Sequence, residues 1–190
     1  MPLPAPELVD EHIRPLKRVE YERLASEGFF DDERVELLFG AVVEMTPIDR
    51  AHVLSAYRVR ETLARRLEGR ALVLEGSPFA ASDISEPEPD ILVTAPSDDW
   101  TEHPTHAWLV VEVARSSLRK DRGVKARLYG LSEVDEYWIV NHEDGVVEVY
   151  RDRVEGAWRT KTVHGRGETI AMLRCPDVLV HVGEILPPPE

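Results

Sequence analysis

The feature that most constrains this chain is the run AWLVVEVA at 107–114. It is continuously apolar except for one carboxylate, Glu112. Strands covered on both faces read this way, because neither face meets water. A central strand of this kind requires a layer on each side of a sheet, so the run points to a layered α/β or α+β fold.

The rest of the sequence supplies those layers. Residues 18–27 read as a short helix, and residues 34–46 as two strands joined at Gly40. Asp49 can cap a helix running to about Arg70, with Leu54, Tyr57, Val59, Leu63 and Leu67 as an approximate apolar stripe. Strands are expected at 71–76 and 89–95, the second opened by Pro89. A helix follows at about 118–131. Strands come at 136–141 and 146–151 around the turn residues HEDG, and AWRTKTV and VLVHVG are candidate strands of the tail. The expectation is a mixed sheet flanked by helices in one domain spanning 1–190, with flexible ends near 1–8 and 186–190, where prolines cluster.

Composition narrows the function classes. A chain of 190 residues is long enough for a sizeable core. No apolar run approaches the ~20 residues of a membrane helix. The opening residues MPLPAPELVDEH lack a basic segment and an apolar core, so they do not read as a secretory signal. The single cysteine, Cys175, cannot form an internal disulfide, and a cytoplasmic setting is expected. Formal charge is −13, which argues against broad non-specific nucleic-acid binding. Glutamine is absent, Asn141 is the lone asparagine, and arginine far outnumbers lysine. A thermophilic or a GC-rich source explains that bias equally well.

The acids raise the chemical question. Side chains alternate along a strand, so Glu112 shares a face with Trp108, Val110 and Ala114. An unpaired carboxylate there costs several kcal/mol unless it meets a cation, a metal or a proton. An exposed strand end or an arginine partner would also explain it. Asp90 opens the strand PDILV, and Glu36 lies within RVELLFG. Each alone reads as a surface acid; together with Glu112 they form a possible set of hard oxygen ligands of the type Mg²⁺ prefers. Lys125 lies one turn after Asp121 and one turn before Tyr129. It can pair with Asp121 as an i,i+4 ion pair, or lean back toward Glu112.

The order Glu36, Pro89–Asp90, Glu112–Val113–Ala114 resembles the PD-(D/E)xK nuclease superfamily. VELLFGAVVEMTP, EPEPDILV, VVEVARSSLRKDRGVKARLYG and EVDEYWIVN resemble more closely the Uma-two family of bacterial restriction-endonuclease-like proteins, over about residues 18–141. One departure is plain: Ala114 stands where the superfamily carries its lysine. In this family the lysine falls on the next helix, at the position of Lys125. The resemblance implies a restriction-endonuclease-like fold and an Mg²⁺- or Mn²⁺-dependent endonuclease acting on DNA. Glu36, Asp90, Glu112 and Lys125 would be catalytic, with Asp90, Glu112 and the Val113 carbonyl as metal ligands. His52 would touch substrate or serve a structural role. A homo-oligomer is expected by analogy.

Residues 115–127 carry Arg115, Arg119, Lys120, Arg122, Lys125 and Arg127 against Asp121 alone. Such segregation favours a local phosphate-binding face, for which Arg115, Arg119, Lys120 and Arg122 are the candidates. The arginines of 58–70 read as a solvated helix surface. Trp138 and Cys175 read as core, and the HPTH histidines are too few for zinc. Two other function classes fit the same residues. One is a non-catalytic nucleic-acid or protein-binding module on a nuclease fold, and the other a hydrolase of a smaller phosphate ester. Convergence of Glu36, Asp90, Glu112 and Lys125 on one pocket would favour catalysis.

Overall fold

The computed structural model describes residues 13–188 apart from Trp100. The stretch 1–8 and residues 189–190, expected to be flexible, lie outside the described residues. Leu186 is buried, and its carbonyl accepts from Arg58.

The core is a six-stranded mixed sheet. Its strands are β3 (Leu72–Glu75), β4 (Ile91–Thr94), β6 (Leu109–Ala114), β8 (Tyr137–Asn141), β9 (Val146–Val154) and β10 (Ala157–Gly165), in that spatial order. All neighbours are antiparallel except β6 and β8. Parallel neighbours need a crossover. It is supplied by α3 (Leu118–Lys120), a π turn (Asp121–Lys125) and α4 (Ala126–Leu131), which run on without a break. The interior strand β6 is buried at all six positions, as its apolar run requires.

Two layers cover the sheet. Helix α2 (Arg50–Leu67) packs on one face through Val59, Leu63 and Leu67, against Val111, Val113 and Trp138. The crossover covers the other through Leu118, Leu128 and Tyr129, against Val110, Ala114 and Ile139. The expected stripe on α2 holds only in its second half. Leu54 and Tyr57 are exposed, and the small residues Ser55 and Ala56 are buried instead, because the start of the helix packs through them. Trp108 sits at the bend between β5 (His106–Ala107) and β6, so it packs with the α2 layer rather than on the face of Glu112.

Short elements complete the fold. Helix α1 (Arg18–Ser26) precedes the hairpin of β1 (Val35–Leu38) and β2 (Ala41–Glu44). Phe39 and Gly40 form its two-residue turn, and both have positive φ, as such turns demand. A Cβ on Gly40 would come within 2.2 Å of the Pro15 Cβ, so glycine is required there twice over. Strand β7 (Glu133–Val134) pairs with β5, and β11 (Thr169–Ala171) with β12 (Leu179–His181). The expected tail strand at 178–183 ends at His181, where α5 (Val182–Ile185) begins. Among the described residues no helix is long and apolar enough to cross a membrane.

Candidate active site

The site forms where three segments meet at the end of β6. Strand β1 delivers Glu36, which is fully buried. The hairpin is pinned by Leu37 and Glu86, whose backbones exchange hydrogen bonds. Asp90 immediately precedes β4. The β4–β6 ladder ends at the Ile91–Val111 pair, and beyond it the Asp90 side chain takes the place of a strand. Its Oδ2 accepts from the Val113 N–H at 2.6 Å. In an extended residue N–H and C=O point to the same edge, so the Val113 carbonyl also faces the Asp90 side. Asp90 Oδ1 lies 2.8 Å from His52 Nε2. His52 is set in the first turn of α2, where its N–H donates to the capping Asp49.

The crossover delivers the lysine. The Ala126 N–H reaches back five residues to the Asp121 carbonyl, which defines the π turn. Tyr137 Oη also donates to that carbonyl. A π turn adds a residue to the helical turn and rotates the next turn of helix relative to the last. The i,i+4 pair of Asp121 and Lys125 does not form. Instead Lys125 Nζ donates to Glu112 Oε1 at 2.8 Å and lies 3.3 Å from Glu36 Oε2. Tyr129, one turn on, donates to the same Glu112 oxygen at 2.7 Å. Lys120 Nζ donates to Glu36 Oε1 at 2.8 Å.

Burial shapes the charges. Three carboxylates, Glu112, Glu36 and Asp121, outweigh the desolvation of Lys125 and hold its ammonium protonated. Desolvation pushes the Glu112 carboxyl up despite Lys125, and Asp90, Asp121 and Glu36 push it further. Burial would lower the His52 imidazole, but its bond to Asp90 more than offsets this and raises it. Asp121 is raised, first by burial and against the pull of Lys125.

Asp90, Glu112, Val113, Lys125, His52 and Lys120 all line one pocket of about 60 Å³. That volume holds a small ion and a few waters, not a nucleobase. Five acids line it against four arginines and lysines and His52, and Glu36 stands behind them as a sixth acid. With the carboxylates ionised and His52 neutral, the excess of two negative charges suits a divalent cation. Among the described residues no three His, Cys, Asp or Glu side chains are grouped so as to hold a metal ion. The donors available for Mg²⁺ are therefore the Asp90 and Glu112 carboxylates with the Val113 carbonyl. Hard oxygens in that number fit an ion that keeps several of its waters.

The candidate phosphate-binding residues divide. Arg115 pairs with Asp49. Lys120 is committed to Glu36. Arg122 is held by Glu148, with Nε at 2.8 Å, and by Asp144. Arg119 is exposed, with no ion pair to a described residue. Sequence reasoning passed over Tyr129 and Asp121 as site residues. The four-residue spacing of Tyr129 from Lys125 was the available signal for the first.

A solved structure shares this architecture. The crystal structure titled as a putative nuclease belonging to DUF820 from Anabaena variabilis superposes with a TM-score of 0.72 at 13% identity, covering 90% of this chain and 97% of that one. At that identity the likeness concerns the fold, an α+β nuclease-like mixed sheet. No curated protein matches the chain. The profile of the Uma2 family, described as "Putative restriction endonuclease", matches residues 18–183. Over that span, most of its length, the chain belongs to the Uma2 family.

Proposed function

We propose that the protein is a divalent-metal-dependent endonuclease that hydrolyses DNA phosphodiester bonds. The observation that carries this reading is the convergence of Asp90, Glu112 and Lys125, with Glu36 behind them, on one small polar pocket. Asp90, Glu112 and the Val113 carbonyl would hold Mg²⁺ or Mn²⁺. Such an ion lowers the pKa of bound water and offsets phosphate charge. The chain's own residues do the remainder. Lys125 stays charged and places its ammonium beside the position of the scissile phosphate, where negative charge develops. Glu36 and Tyr129 fix Lys125 and Glu112, and the bond from His52 orients Asp90. Arg119 contributes an exposed cation on the outer face of the crossover.

The test is cleavage of supercoiled plasmid and of linear duplex with Mg²⁺, with Mn²⁺ and with chelator, for the wild type and for D90N and E112Q. Metal-dependent cutting that leaves 5′-phosphate ends and is lost in both variants supports the reading. Cutting that survives in E112Q moves the chemistry elsewhere. A protein-binding module on the same fold is the second reading, favoured by the commitment of Arg115, Lys120 and Arg122 to carboxylates, which leaves few cations for phosphates. It gains if the wild type neither binds duplex in Ca²⁺ nor cuts it in Mg²⁺ or Mn²⁺.

A further inference from the structure

Asp121 differs from the other acids of the site in what its carboxylate lacks. It opens the π turn, is 1% exposed, and lines the pocket with Asp90 and Glu112. Both oxygens of Glu36 face lysines, and both oxygens of Asp90 have partners. One oxygen of Glu112 takes Lys125 and Tyr129. Asp121 Oδ2 is sealed and accepts no hydrogen bond from any described residue. Leaving an acceptor in that state is costly. The cost falls when the carboxylate turns to a donor in the pocket. A phosphodiester has no proton to donate, but water has.

Lys125 is the wrong group to take a proton from that water. Three carboxylates keep it charged, and two of them occupy its ammonium directly. Glu88 also lines the pocket, but it is half-buried and solvent can reach it. The terminal torsion of an aspartate is broad and nearly two-fold, so either oxygen of Asp121 can turn to the pocket.

We propose that Asp121 is the general base of the hydrolysis, accepting the proton of the water that attacks phosphorus. This rests on the nuclease reading above. An O–H bond of water breaks as its oxygen bonds to phosphorus, and the proton passes to the Asp121 carboxylate. The bond from phosphorus to the 3′-oxygen then breaks with its electron pair. The leaving oxygen takes a proton from solvent, giving a 3′-hydroxyl and a 5′-phosphate. Asp121 returns its proton to solvent. Its carboxyl is raised above the usual range, the direction that suits a base working near neutrality.

The experiment compares D121N and D121A with the wild type in single-turnover cleavage of a labelled duplex in Mg²⁺, and in duplex binding by anisotropy in Ca²⁺. Thermal melting and the pH–rate profile complete it. D121N is expected to cut at least about 100-fold more slowly, to bind duplex no more weakly, and to lose the acidic limb of the profile. Added formate is expected to restore part of the D121A rate. D121A is expected to melt close to the wild type, since the unsatisfied acceptor it removes offsets the attraction lost to Lys125. If the wild type cuts and D121N cuts within about threefold of it, Asp121 is not the base and the nuclease reading stands. If both variants melt well below the wild type and formate restores nothing, the role is structural and the proposal falls. A wild type that leaves DNA intact removes the nuclease reading and this proposal together.

Discussion

Lys125 Nζ lies 2.8 Å from Glu112 Oε1, with both side chains almost wholly buried. The contact joins the crossover to the central strand, so it belongs to the fold as well as to the proposed chemistry. Removing one member of a buried pair strands the other, at about 3–5 kcal/mol. K125M is therefore expected to destabilise the protein in urea unfolding at neutral pH, and E112Q to cost less because it leaves no bare anion. The E112Q/K125M double variant should recover at least about 1 kcal/mol relative to the sum of the singles. Strict additivity would mean that the two charges do not interact. In cleavage assays K125M should lose at least about 100-fold while still binding metal.

Metal binding is expected to depend on the two carboxylates at the strand ends. Calorimetric titration with Mn²⁺ should show one site in the wild type and none in D90N/E112Q. Equal heats from both proteins would remove Asp90 and Glu112 from the site. Y129F should retain binding, because Tyr129 donates to Glu112 Oε1 and leaves Oε2 free of any described donor.

The order of strands and helices was legible because burial writes period and length into the sequence. The β6 run, apolar but for Glu112, the Asp49 cap and the turn at Gly40 each follow from one local rule. What escaped was set by tertiary contacts. Leu54 and Tyr57 match a helical stripe, but packing chose Ser55 and Ala56. The π turn has no local signature in DRGVK. It is held from outside, by Tyr137 on the Asp121 carbonyl and by Glu148 on Arg122. Glu36, Asp90, Glu112 and Lys125 were nameable only through the resemblance to a known family. Sequence spacing gives Asp121 only an ion pair that the π turn prevents. Arg122 looked available for phosphate because Glu148 is distant in sequence.

Arg119 and Arg122 should separate in mutagenesis. R119A is expected to weaken binding to all duplex sequences alike and to flatten the slope of log K against log salt by about 1. R122A is expected to act on stability, at about 1–2 kcal/mol, because it removes hydrogen bonds to a buried carboxylate. If R122A changes the salt slope and leaves the melting temperature untouched, its guanidinium faces DNA rather than Glu148.

Glu148 gives the chain a defined acid limit. Burial alone would raise its carboxyl, but hydrogen bonds from Arg122, Lys161 and Tyr150 outweigh that and hold it down at about 2. A carboxyl lowered on folding adds stability that is fully present above its unfolded value, near 4.5. That contribution is lost as pH falls from there toward 2, since the unfolded chain takes up the proton first. It amounts to about 3 kcal/mol at neutral pH. In E148Q the wild-type loss of stability between pH 5 and 2 should therefore shrink by about that amount, measured as urea midpoints across the range. At neutral pH, E148Q should be the less stable protein, because two cations then face an amide. Parallel pH curves for E148Q and the wild type would show that Glu148 titrates alike in the folded and unfolded chains.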